Sequence, residues 1–137
     1  MKKFAIAIML LLPLCAFAQV PQLKDEKAQK ELREALDKEV ERLTDNLALE
    51  VWQEFYVDSI FTHNYTMRYL ELQDLNDKKV SNSDAYTAVS DKWMEANYQA
   101  IKKILDEEQW AKYEKLGAGR DKRARDKRAE KSSKSKN

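Results

Sequence analysis

Apolar residues recur at three- and four-residue spacings over nearly all of the chain after residue 22, and strict alternation is absent, so the pattern predicts helices rather than strands. Ala28, Leu32, Ala35, Leu36, Val40 and Leu43 form a narrow stripe in a first segment, Leu23 to Leu43, whose other positions are Lys, Glu, Arg and Asp. A second segment, Asp45 to Leu75, has two apolar sides at a hundred degrees per residue. One carries Leu47, Val51, Phe55, Tyr65 and Tyr69, the other Leu49, Trp52, Tyr56, Ile60, Met67 and Leu70. A two-sided helix needs more than one neighbour: one side packs within the chain, and the other is expected to meet a second subunit or a client.

The Asn76-Asp77-Lys78-Lys79 break precedes a third segment, Asn82 to Ile104, in which Tyr86, Val89, Trp93, Ala96, Ala100 and Ile104 share a stripe. Ser81 with Asp84 three residues on reads as its cap. A fourth segment, Glu107 to Leu116, opens on Asp106 with Gln109 placed to reach back, and is expected to stop at Gly117-Ala118-Gly119. Thr44 reads as the cap of the second segment.

The chain begins differently. Lys2 and Lys3 precede an apolar run from Phe4 to Leu14, and Ala16-Phe17-Ala18 places small residues at a cleavage position, so residues 1–18 read as a signal peptide removed before Gln19. Bulky Leu14 before Cys15 argues against lipidation. The expected location is the periplasm, and Cys15, the only cysteine of 137 residues, leaves with the leader.

Charge is distributed unevenly: Gln19 to Glu114 is net −8 and Lys115 to Asn137 net +7. The stretch from Arg120 to Asn137 has no large apolar residue, so it is expected to be a disordered basic tail beyond a helical domain at 19–119. Such a tail is a solubilising extension, or it binds anionic lipid, lipopolysaccharide or an acidic client as an envelope anchor, or it folds back on its own acidic body. Without aromatics it does not suit nucleic acid. The expected fold is all-α, an antiparallel helical hairpin or four-helix assembly that dimerises.

The residue inventory argues against catalysis. His63 is the single histidine, no nucleophile elbow is present, and two glycines are too few for a P-loop or dinucleotide fold. No catalytic residue, cofactor or metal site is expected. His63 projects between Trp52 and Met67, as a packed or interface imidazole; a metal-binding stress sensor would have to use it with Met67. Asp58-Ser59-Ile60 and Asn64-Tyr65-Thr66 match glycosylation patterns that arise readily by chance. The eleven aromatics outside the leader all lie between Trp52 and Tyr113, more than one helix face buries.

Two restarts, Leu43-Thr44-Asp45-Asn46-Leu47 and Leu105-Asp106-Glu107-Glu108-Gln109, resemble degenerate copies of the LTxxQ motif of the Spy/CpxP family of small periplasmic helical proteins. Leu anchors, Thr or Asp caps, and Gln closes the box; Leu47 stands in place of the first Gln and Asp106 in place of the second Thr. The resemblance spans Lys38 to Leu116, together with the leader and the length. It implies an antiparallel helical dimer with a concave surface, acting without ATP as a chaperone or as an envelope-stress regulator, with metal binding in parts of the wider group. The body here is acidic, whereas the family's chaperone archetype is associated with a basic concave face. The partners so implied are unfolded envelope proteins and a second copy, and the second apolar side of segment two makes Trp52, Tyr56, Ile60, Met67 and Leu70 the expected client or dimer surface. The competing expectation is an envelope adaptor anchored by the basic tail.

Overall fold

The computed structural model describes residues 22–135, and every regular element among them is helical. The signal-peptide reading, Cys15 and the cleavage before Gln19 lie outside the described residues. The helices are α1 (Glu26–Leu47), α2 (Val51–Asp77), α3 (Ser83–Lys102), α4 (Glu107–Tyr113) and α5 (Gly119–Lys134), with a π-helical turn at Glu114–Ala118 joining the last two. No described helix is long and apolar enough to cross a membrane.

Asp25 caps α1 by accepting the amide protons of Lys27 and Ala28. The helix buries Leu36, Val40, Leu43 and Leu47, at i, i+4, i+7 and i+11, against Val57 and Phe61 of α2 and Ile101 of α3. That row explains why the chain does not restart at Thr44. Leu43 and Leu47 both belong to the core, so α1 runs one turn further than expected and ends at Ala48, which adopts the left-handed conformation (φ 50°). Thr44 is therefore an interior residue of α1, and the cap of α2 is Glu50.

Helix α2 spans about 40 Å at 1.5 Å per residue and lies between two antiparallel neighbours. Arg33 of α1 bonds Asp58 and Thr62 on one side. On the other, Asn64 donates to Asn97 of α3 at 2.7 Å, Arg68 to Ser90, and Lys92 pairs with Glu71. Helix α2 is thus tied to a neighbour on each side by polar side-chain bonds, and its core face carries Val57 and Phe61. The cap of α3 is Asn82 rather than Ser81, its side chain accepting from Asp84 N.

The basic end is not a loose tail. At Gly117, whose φ of 126° favours glycine, the chain kinks through the π-turn and continues as α5, antiparallel to α3. Arg125 is buried: its Nε donates to Glu95, and its guanidinium lies 5.6 Å from the Tyr98 ring centroid. Arg128 makes a two-pronged contact with Asp91, both bonds 2.7 Å, and Lys122 adds a third contact, to Glu95. Lys, Arg, Ala and Glu are good helix formers, and docking runs through ion pairs and a cation–aromatic contact. An apolar pattern cannot register such packing.

Candidate functional site

The end of the bundle where α1 stops, α2 starts and α4 starts is organised by two glutamines. Gln53 is the third helical residue of α2, and Gln109 holds the same place in α4. The Gln53 carbonyl oxygen accepts from Glu50 N at 3.0 Å, and the Gln109 oxygen from Asp106 N at 3.1 Å, each closing a capping box. The two carboxamides also bond each other reciprocally, at 2.7 and 2.9 Å. Their remaining N–H groups reach Ile104 O and Leu47 O. Both side chains are buried, and both amides use all of their hydrogen-bonding capacity.

A capping box forms at the start of α4: Leu105 is half-buried against the core, Asp106 accepts from Gln109 N at 2.8 Å, and Gln109 reaches back. The first copy is displaced. Its counterpart is Leu49-Glu50-Val51-Trp52-Gln53, with Leu49 packed on the core and Gln53 in the place of Gln109. Leu43-Thr44 belongs to α1, where Leu43 is buried and the Thr44 hydroxyl is buried without a partner. The sequence signal was present, because Leu49 and Gln53 have the same four-residue separation as Leu105 and Gln109.

In the first two turns of α2 Gln53 and Val57 face the core, while the other side of the helix is left uncovered. Val51 is 85% exposed, Phe55 66%, Tyr56 50% and Trp52 49%. The rings are not free-standing: Trp52 meets Tyr56 edge-on at 6.2 Å, Phe55 meets Tyr56 at 5.7 Å, and the Trp52 indole donates to Glu50. These contacts hold an apolar surface in a fixed shape facing water. Of the five residues expected to form a client or dimer surface, Trp52 and Tyr56 are exposed in this cluster. Ile60, Met67 and Leu70 are half-buried further along α2, Ile60 packed against the core. Val51 and Phe55, assigned by periodicity to the opposite side, are the most exposed members. Gln53 and Val57 of the same turns are buried, so the buried face of α2 is the one they share with Phe61, and Val51, Trp52, Phe55 and Tyr56 project away from it.

His63 is exposed and its ring stands 6.0 Å from Trp93, so it is not sealed in the core. Among the described residues no three His, Cys, Asp or Glu side chains are grouped to hold a metal ion. Asn64 of the glycosylation pattern is buried and bonded to Asn97. Ser59 is exposed, its hydroxyl donating to Phe55 O.

Between α1 and α2, beside Val51 and Phe55, runs an open groove of about 670 Å³. Its α1 wall carries Asp37, Glu41 and Asp45, and its α2 wall Glu54 and Asp58. Arg33 closes one end, its guanidinium held by Asp37 and Asp58.

The chain matches no family model, no curated protein and no solved structure.

Proposed function

We propose that this is an exported, periplasmic, ATP-independent holdase that shields apolar segments of unfolded envelope proteins. The observation that carries the reading is the exposed cluster Val51, Trp52, Phe55 and Tyr56. Large apolar side chains gathered on one surface and rigidified by mutual contacts mark a protein-binding surface more often than a solvated one. The surrounding carboxylates keep such a surface soluble and let a bound segment leave. Two Leu-acid-x-x-Gln boxes, at Leu49–Gln53 and Leu105–Gln109, support the likeness to the LTxxQ proteins. Light scattering from a chemically denatured client, with equimolar protein and no nucleotide, tests the reading: delayed aggregation is expected, and an unchanged time course removes it.

A second reading, an envelope anchor, is favoured by one observation. Arg120, Arg123, Lys127, Lys131 and Lys134 are all exposed and project within about 80° of one another on the face of α5 turned away from α3. Reversing the charges of Arg123, Lys127 and Lys131 abolishes sedimentation with anionic vesicles on the anchor reading and leaves client protection intact.

A further inference from the structure

The geometry points to a cationic amphipathic peptide segment, apolar residues interspersed with Lys or Arg, as the occupant of the α1/α2 groove. This names the client class of the surface proposed above and rests on that reading.

The groove combines two features that select together. Its apolar part is the exposed pair Val51 and Phe55, which offers a partner apolar surface to bury. Its walls are of one sign. Asp37, Glu41 and Asp45 follow one another at i, i+4 and i+8 on α1, and Glu54 and Asp58 at i and i+4 on α2. Like charges at this spacing repel, a cost the free protein carries and a cationic partner relieves. Arg33 offsets that repulsion only at the closed end, where it is already engaged by Asp37 and Asp58. Glu41, Asp45 and Glu54 make no ion pair with any described residue.

The competing occupants fit less well. A second copy's α5 has the charge but no large apolar residue to cover Phe55. A neutral apolar segment would desolvate three carboxylates without compensating them. A metal ion would leave the apolar part uncovered. The groove's volume lies in the range that accepts a few side chains of a bound chain.

The test uses the full chain and three labelled peptides of one apolar pattern, carrying Lys, Ser or Glu at the polar positions, with binding followed by anisotropy at low and high salt. The Lys peptide is expected to bind at least about tenfold more tightly than the Glu peptide at low salt, with the advantage shrinking as salt screens it. Glu41→Gln with Glu54→Gln, both exposed and neutral to folding by circular dichroism, is expected to remove most of the preference, and Phe55→Ser to weaken the Lys peptide. Equal affinity for all three peptides overturns the inference, as does a preference unmoved by the Gln pair or a dimer that excludes peptide from Phe55. Client protection retained under any of these outcomes leaves the holdase reading standing, and protection lost for every client removes that reading itself.

Discussion

Gln53 and Gln109, 56 residues apart in sequence, donate a hydrogen bond to each other while each also closes the cap of its own helix. The pair ties the start of α2 to the start of α4, and through Leu47 O and Ile104 O to the ends of α1 and the α3–α4 link. One buried contact therefore fixes the position of the turn that carries Val51, Trp52, Phe55 and Tyr56.

Removal of either amide leaves its partner buried and unsatisfied. Gln53→Ala and Gln109→Ala are each expected to destabilise by about 2 to 4 kcal/mol, combining lost cap bonds with the unpaired group. The double variant should cost well under the sum, because the second substitution removes a group the first has already stranded. Denaturant unfolding of the four proteins checks this; strict additivity would mean the amides act independently.

Ala48 ends α1 in the left-handed region at φ 50°, exposed to solvent. An L side chain there costs about 1 to 2 kcal/mol, and glycine loses part of that relief to its freer unfolded chain. Ala48→Gly is expected to raise stability by about 0.5 to 1 kcal/mol, read as a higher denaturation midpoint at unchanged slope; a loss of stability would contradict the cap geometry.

Docking of α5 rests on Glu95 and Asp91. Burial alone would raise the Glu95 carboxyl, but hydrogen bonds from Gln99, Lys122 and Arg125 outweigh it and hold its pKa below the ordinary value. A lowered folded-state pKa means stabilisation that is full above the ordinary carboxylate range and lost as pH falls through the folded value. Protection factors of α5 amides, taken relative to the intrinsic rate at each pH, should therefore fall on acidification while those of α1 and α2 persist. Arg125→Ala should release α5 at neutral pH in the same way, and α5 amides that remain protected in that variant would place the docking elsewhere.

Tyr98 and Tyr113 are both pushed up to about 12. Burial is the main cause for each, joined at Tyr98 by the hydrogen bond its hydroxyl donates to Glu114 at 2.7 Å. With the folded value above the unfolded one near 10, the stabilisation is complete below about pH 10 and disappears as pH rises toward 12. Absorbance titration of tyrosinate should show these two groups ionising late, with Tyr98→Phe removing one of them. Ordinary titration of both in the folded protein would contradict their burial.

The helices were legible in the sequence because stripes such as Leu36, Val40 and Leu43 have one period and one meaning. The N-terminal box of α4 was legible for the same reason: Asp106 and Gln109 are local partners. Thr44 misled because a good capping residue can also sit inside a helix when Leu43 and Leu47 on either side are needed in the core. The reciprocal bond from Gln53 to Gln109 is long-range, and no local pattern announces it. The basic end was misread for a physical reason of a different kind. Its packing depends on Asp91, Glu95 and Tyr98, which lie on another helix, and charge pairing leaves no hydrophobic period. The five surface candidates were chosen by an apolar stripe, but the buried face of α2 is the one carrying Gln53, Val57 and Phe61, and of the five only Trp52 and Tyr56 are exposed.

The most direct measurement is a paired aggregation assay of the wild-type chain and the variant Val51→Ser with Phe55→Ser, each equimolar with a denatured client and without nucleotide. Both positions are exposed, so the variant should unfold at the same denaturant concentration as the wild type. The expected result is protection by the wild type and a several-fold loss of protection in the variant. Equal protection by the two proteins, or none by either, would contradict the assignment of this surface to client binding.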